Sequence, residues 1–451
     1  MSRRRPAPPR AAAQPCVNPN AAGLDIGSAE MWACVPEDRD PQPVRVFGTF
    51  TPDLYALADW LAACRIETVA MESTGVYWIP IYEVLEERGC RVPLVKARHL
   101  THVPGRQSDL KDGQWLQDLH TCGLLSGSFR PAAQMCALRA YLRHRAALLE
   151  HRAAHIQHMQ KALQQMHVQL TQVLSDITGA SGLAMLRAIV AGERDPGLLA
   201  RFRDRRCACS PAEIIKALTG HYQPEHVFAL KQALALYEFY TLQLQECDAA
   251  IEQQFHAIKP AWEDELPPLD PTDKANSHSK NAPRYDARSL LYEVTGVDLV
   301  AIPGLNTGTV QTIVAEVGTD MTKWPSEKPF CSWLTLAPHH DISGGKVLRR
   351  YTLKTGNRAG QAFRLAAQSL SRSHSALGAY YRRMRARLGP KAAIVATAHT
   401  LARLVYHMLK HRTPYRHLSA EDYAQRARER DIATLQKRAA KLGFTLVESP
   451  A

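Results

Sequence analysis

From Ile342 to Ala420 the chain contains no aspartate and no glutamate. The same stretch holds 16 lysines and arginines, more than the net +13 of the whole protein, so the remainder is slightly acidic at −3. A solvated face normally mixes signs. A one-signed block of this length, interleaved with core-like apolar positions, argues against an ordinary solubilising surface and points to a polyanion, a phosphate backbone above all. No apolar run is long enough to span a bilayer, so no membrane partner is expected. The opening MSRRRPAPPRAAAQP lacks the apolar centre of a signal peptide, and its prolines spoil the amphipathic helix of a mitochondrial presequence. Residues 1–20 are therefore read as a disordered basic arm. The ten cysteines are scattered, and Cys207 and Cys209 have no second pair at zinc spacing. That leaves reduced cytosolic thiols as the default.

What is present suggests two or three domains in 451 residues. Short apolar runs at Ala21–Ile26, Met31–Val35 and Val44–Phe50 read as three strands. A helical spacing follows over 52–64 (Leu54, Leu57, Ala58, Leu61), then a buried strand at Thr68–Glu72. VYWIPIYEVLEERG reads as a helix, Arg91–Val95 as a strand, and a further helix begins near Ser108. The order β-β-β-α-β-α-β-α is that of the ribonuclease H fold. Leu142, Leu149, Ile156, Leu163, Leu170 and Ile177 then recur every seven residues. Leu138, Met159, Met166 and Val173 form a companion seam, interrupted by Arg145 and Arg152. This predicts a coiled-coil helix of about six heptads. A second run from about His226 (Leu230, Leu234, Tyr237, Leu244, Ile251, Phe255, Ile258) has Thr241 and Asp248 as polar breaks. The two runs could pair as an antiparallel hairpin or between subunits. Pro260–Asp286 has no period and reads as a linker. The helix KAAIVATAHTLARLVYHMLK is apolar nearly all round and reads as buried. The tail from Glu421 is charged and helical. The expected divisions are residues 21–130, a helical insert at 131–259, a linker at 260–288, a C-terminal domain at 289–420 and a tail at 421–451.

Asp25 lies inside the first strand and Glu72 ends a later buried one, positions where a carboxylate is costly unless paired or metal-bound. Asp109 and Asp112 stand three apart at a helix start and share one face. Alone, D-x-x-D describes a capped, dipole-matched helix end. As a set on a ribonuclease H topology, the four acids converge on one sheet edge and could hold one or two Mg²⁺ or Mn²⁺ ions. In HHDISGGKVLRRYTLKTGN (residues 339–357), Ser343 precedes two glycines and the cations Lys346, Arg349, Arg350 and Lys354, with Arg358 just beyond. A serine needs activation to attack. His339 and His340 are nearby with open roles, so residue chemistry alone favours a phosphate-binding turn over a nucleophile. IPGLNTG (Ile302–Gly308) looks like a degenerate helix-hairpin-helix, with Asn306 where a glycine is usual; a plain packing turn is the bland alternative.

Together GLDIGS, AMESTGVYWIPIYEVLEERG, SDLKD, AIPGLNTGTVQTIVAEVG and SGGKVLRRYTLKTGNRAGQAFRLAA resemble the IS-one-ten family of insertion-sequence transposases, the bridge-RNA-guided DNA recombinases. The likeness runs from about Asn20 to about Arg412. It implies a RuvC-like (ribonuclease H-like) α/β domain, a coiled-coil insert and a mainly helical C-terminal transposase domain. Asp25, Glu72, Asp109 and Asp112 would be the Mg²⁺-binding DEDD tetrad. Ser343 would attack the scissile phosphate and form a phosphoserine link to DNA, held by the cations that follow it. Partners would be donor and target DNA and a noncoding bridge RNA, with homodimers pairing into a tetramer whose active site is composite. The location would be the cytoplasm, at the bacterial nucleoid. Covalent attachment conserves phosphodiester energy, in keeping with the lack of a Walker-type loop. The rival reading is a metal-dependent, junction-resolving nuclease in which Ser343 only binds phosphate; a catalytically dead nucleic-acid-binding scaffold would have no use for the four acids.

Overall fold

The computed structural model describes residues 16–73, 75–95, 109–125, 127–259, 266–269, 280–353 and 356–447, with backbone only at 109–111, 350, 420 and 427. The expected basic arm lies outside these residues up to position 15. Its last residues do not float, since the Val17 and Asn18 amides donate to the Thr121 carbonyl. The chain divides into two compact units, Met1–Arg130 and Pro131–Ala451.

In the first unit the elements are β1 (Ala21–Ile26), β2 (Glu30–Cys34), β3 (Val44–Gly48), α1 (Thr51–Ala63), β4 (Thr68–Glu72), α2 (Trp78–Glu87), β5 (Leu94–Val95) and α3 (Asp109–Thr121). This is the order the sequence predicts. They form one sheet, β3-β2-β1-β4-β5. The β1–β2 and β2–β3 pairs are antiparallel, while β1–β4 and β4–β5 are parallel. Alternation sorts the strand residues between two faces. Ala22, Leu24, Met31, Ala33, Val69 and Met71 pack with Leu57, Leu61, Ile81 and Leu85 of α1 and α2. On the other face Ala70 and Val95 meet Leu116 of α3.

Gly23 shows why α3 can lie so close. A Cβ there would overlap the Gly113 carbonyl oxygen and sit 2.5 Å from the Gln117 amide nitrogen. Contacts at both ends fix the direction of α3. Its C-terminal His120 bonds to Thr68 Oγ1 at the start of β4, at 2.9 Å. The Asn18 side chain, just before β1, donates to the His120 carbonyl at 2.8 Å. The helix therefore runs antiparallel to β1 and β4, and its first turn reaches the edge where those strands end.

The second unit opens with α4 (Ala133–Gln165). Four shorter helices follow: α5 (Leu170–Val173), α6 (Ala180–Ala191), α7 (Pro196–Ala200) and α8 (Pro211–Leu218). Then comes α9 (Pro224–Ala257). The two long helices are antiparallel neighbours, as contacts from Gln134 to Gln254, Tyr141 to Cys247 and His155 to Tyr240 establish. The expected six-heptad helix is shorter than predicted. It stops at Gln165, where His167 adopts φ +57° and the Met166 carbonyl accepts the His221 amide at 2.7 Å. Leu170 and Ile177 are buried, but in a globular cluster with Met185, Ile189 and Ile214 rather than along a continued seam. The polar breaks also meet. Arg145 forms a bidentate pair with the buried Asp248, and Arg152 bonds to Asn281 Oδ1 at 2.8 Å. Tertiary partners thus satisfy charges that the periodic pattern alone leaves stranded.

The region expected to be a linker falls largely outside the described residues, but from residue 280 onward the chain is docked. Lys280 pairs with Asp176, and the Arg284 amide donates to Asp248. Beyond it lie α10 (Ala287–Thr295), α11 (Thr307–Val317), α12 (Glu327–Trp333), β6 (His339–Ser343), β7 (Lys346–Tyr351), α13 (Arg358–Ser369), α14 (Ala376–Leu388), α15 (Pro390–His411) and α16 (Ala420–Lys441). One expectation needs correcting. By length and composition α15 could cross a membrane, contrary to the reading that no such run exists. Its packing accounts for its composition: it lies against α12, α13 and α14 and buries Ala398, Leu401, Ala402, Val405 and Tyr406. It is a one-sided core helix rather than one buried all round.

Candidate active site

The β1–β4 ladder pairs Gly23 with Ala70 and Leu24 with Met71. Asp25 and Glu72 follow one residue further on each strand, so they stand side by side where the parallel pair ends. Alternation sets their face. Leu24 and Met71 point into the α1–α2 core, so Asp25 and Glu72 take the opposite side, shared with Gly23 and Ala70 beneath α3. Asp112 is in the first turn of α3, one residue before the Gly113 carbonyl that crowds Gly23. Topology thus carries three of the four predicted carboxylates to one sheet edge. Asp109 is the first residue of the same helix, and its side chain lies outside the described residues.

These acids are hard oxygen donors of the kind that Mg²⁺ or Mn²⁺ accepts. Among the described residues, no three His, Cys, Asp or Glu side chains form a closed group able to hold a metal. The donor set is of the kind such ions accept, while its three described members alone make no cage. Of these acids, Asp25 alone adds a small contribution at a neighbouring thiol. Cys34, paired across the ladder with Gly23, has its thiol pushed up to about 12 by burial and then by Asp118 and Asp25. At the other end of α3, burial and then Arg91 hold His120 down at about 4, so it stays neutral and bonds to Thr68.

Ser343 lies in the other compact unit. It ends β6 and pairs with Lys346 at the start of β7, so Gly344 and Gly345 form a two-residue turn. Both have positive φ, +55° and +76°, the primed hairpin turn that glycine permits. The basic loop is therefore a β-hairpin, and Ser343 stands exposed at its tip. A register shift between Asp341 and Ile342 puts Asp341 opposite Arg349 and His339 opposite Tyr351. Ser343, Asp341, His339, Lys346, Arg349 and Tyr351 thus share one side. There Tyr351 donates to Asp341 at 3.4 Å, His339 Nε2 lies 3.7 Å from Asp341 Oδ1, and the Arg349 guanidinium rests 5.1 Å from the Tyr351 ring centre. Asp341 and Tyr351 escaped the reading of the sequence; strand period from Ser343 would have placed Asp341 beside it. Of the other predicted cations, Arg358 starts α13 and is exposed, the Arg350 side chain is not described, and Lys354 lies outside the described residues. In IPGLNTG, Asn306 caps α11 by accepting the Thr309 amide at 2.8 Å, a bond that a glycine could not make.

Comparison with known families bears on both regions. Residues 22–168 match a family model described as a transposase of the DEDD, IS110 type. Residues 298–382 match one described as the transposase IS116/IS110/IS902 family. Together the two matches span just over half of the chain. No curated protein matches it.

Proposed function

The chain belongs to the IS110 family of insertion-sequence transposases, and from that premise we propose that it cuts and rejoins DNA strands through a covalent phosphoserine on Ser343. One observation carries this reading. The first match encloses Asp25, Glu72, Asp109 and Asp112, and the second encloses Ser343, so both halves of the expected chemistry fall inside family segments. A DNA-processing enzyme of DEDD type uses divalent metal ions, and Asp25, Glu72, Asp109 and Asp112 would hold Mg²⁺ here. Bound there, Mg²⁺ would neutralise the scissile phosphate and favour the attacking and leaving oxygens.

The chain's own residues do the rest. The Ser343 oxygen forms a bond to phosphorus as the phosphorus–oxygen bond to one DNA strand breaks. The serine proton leaves, and the released strand end gains one, so the hydroxyl count is unchanged. Reversal with a different strand end restores the serine and rejoins DNA. Lys346 and Arg349, on the same side of the hairpin, hold the phosphate, and Arg350, Lys354 and Arg358 extend the cationic wall. The functional division is a carboxylate domain (21–130), a helical domain (131–259) and a serine domain (289–420). Donor and target DNA are chosen by a noncoding bridge RNA, and a homotetramer built from dimers lets one subunit's carboxylates act with another's serine. The location is the cytoplasm, at the nucleoid.

The exposure of Ser343 beside a Gly-Gly turn is what favours the rival, a metal-dependent nuclease with a phosphate-binding serine. Strand cleavage by Asp25→Asn, Glu72→Gln and Ser343→Ala, each on DNA from the element's own ends, separates the two. Loss of cutting in all three is the expected result. Near-normal cutting by Ser343→Ala with loss in the other two would establish the rival.

A further inference from the structure

The strands that carry Asp25 and Glu72 lead to two accessible aromatic side chains that the chemistry above does not use. Trp32 of β2 is the direct ladder partner of Asp25. Cross-strand partners point to the same face, so the two side chains leave the sheet on one side from backbones one strand spacing, about 4.8 Å, apart. It is only half-buried, and its Nε1 is tied to Glu30 Oε1 at 3.2 Å. Its strand neighbours Met31 and Ala33 are in the core, whereas Trp32 faces the other way. Across the edge the order is Trp32, Asp25, Glu72.

Tyr77 follows Glu72 by five residues, in the turn that leads from the carboxyl end of β4 into α2, and is 54% exposed, with Val76 beside it at 66%. The ring does not simply dangle. Gly75 turns with φ +62°, and a Cβ there would touch the Tyr77 ring at 3.7 Å. The Gly75 carbonyl accepts Trp78 Nε1 at 3.2 Å, which pins the turn to the start of α2. The ring is thus exposed on a turn whose backbone is hydrogen-bonded, and burial on the protein does not explain it.

We propose that Trp32 and Tyr77 bracket the carboxylate edge as stacking platforms for unpaired nucleobases on either side of the scissile phosphate. Phosphates explain the acids and the cations, but a phosphate has no use for an aromatic face, and a base does. Stacking is indifferent to sequence, because every base offers a π-face. That suits an edge that must handle any strand placed on it. Positioning then follows from geometry: two held bases fix the phosphate between them over Asp25 and Glu72. The proposal rests on the reading of this edge as the place where DNA is cut.

The test uses the full-length protein carrying Asp25→Asn, which is expected to bind without cutting. The probe is a 40-base mixed-sequence single strand with 5-iododeoxyuridine at its thymidine positions. Near-ultraviolet light crosslinks that base to aromatic rings stacked on it, and peptide mass spectrometry locates the adducts. Adducts at Trp32 and Tyr77 are expected. They should persist in Tyr77→Phe and disappear from that position in Tyr77→Ser, with strand binding weakened about tenfold or more in a Trp32→Ser, Tyr77→Ser double variant. Crosslinks confined to other regions, or binding unchanged in the double variant with its melting temperature intact, would overturn the proposal. If the adducts form but Asp25→Asn still recombines DNA, the cutting reading fails and the stacking site stands. If Asp25→Asn is inactive and the adducts are missing, only the stacking proposal fails.

Discussion

The carboxylate edge and the serine hairpin achieve placement in opposite ways. Asp25 and Glu72 are held by a parallel ladder whose strands are 47 residues apart in sequence, and by a helix that depends on Gly23 having no side chain. The hairpin is built from local register and a Gly-Gly turn, with Ile342, Val347 and Leu348 left 62%, 40% and 70% exposed. Packing fixes the first region in advance of any substrate. The second has few tertiary contacts to lose and is the region able to move with DNA. On the proposed chemistry, acids that share a site need fixed geometry, whereas an attacking serine gains from a support with few packing restraints.

The sharpest break between them comes from Ser343→Ala. Strand joining should fall by ~10⁴-fold or more, while the unfolding free energy stays within about 0.5 kcal/mol of the parent because the side chain is exposed. Parallel joining assays and urea titrations read both. Gly23→Ala should do the reverse. The added methyl must displace Gly113 or Gln117, which costs about 1–3 kcal/mol and lifts the first turn of α3 away from Asp25. Urea midpoints fall, and activity falls with them. Gly344→Ala tests the local turn. Its positive φ disfavours a side chain by about 1–2 kcal/mol, so joining should slow by about tenfold with the global melting temperature unmoved. Loss of global stability there would mean that the hairpin is not a local element.

A pH dependence is expected of the first unit through His120. Burial lowers the His120 pKa from 6.5 to about 4. Between those values the unfolded chain binds a proton that the folded chain refuses, so stability is lost as pH falls from about 6.5 and the loss levels off below about 4. Urea unfolding monitored by Trp fluorescence at pH 7 and pH 5 measures it. His120→Gln, which keeps a partner for Thr68, should flatten the difference.

Much of the first unit was legible in the sequence because its signals are short-range and strong. Strand alternation around Leu24 and Met71 identifies the buried face, and by the same parity it assigns Asp25 and Glu72 to the other. The spacing of Asp109 and Asp112 names a helix face without saying which sheet it crosses; the glycine pair Gly23 and Gly113 supplies that, and only tertiary contact reveals it. The heptads misjudged the length of α4 for a related reason. Leu170 and Ile177 keep the seven-residue beat and remain buried, so hydrophobicity carries no sign of the turn. The turn comes from His221, 55 residues beyond Met166, donating to its carbonyl. Similarly, a Gly-Gly step between basic residues reads as a loop until Ser343 and Lys346 are seen to pair, because the flanking strands are exposed on both faces and lack the apolar alternation of a core strand.

The proposed chemistry requires a covalent bond between Ser343 and DNA. Wild-type protein incubated with end DNA of its element and Mg²⁺, then denatured and digested, should yield a nucleotide-bearing peptide mapped by mass spectrometry to Ser343. That peptide should be missing from Ser343→Ala and from Asp25→Asn. Cut DNA with free ends, no adduct on any peptide and undiminished cutting by Ser343→Ala would contradict it.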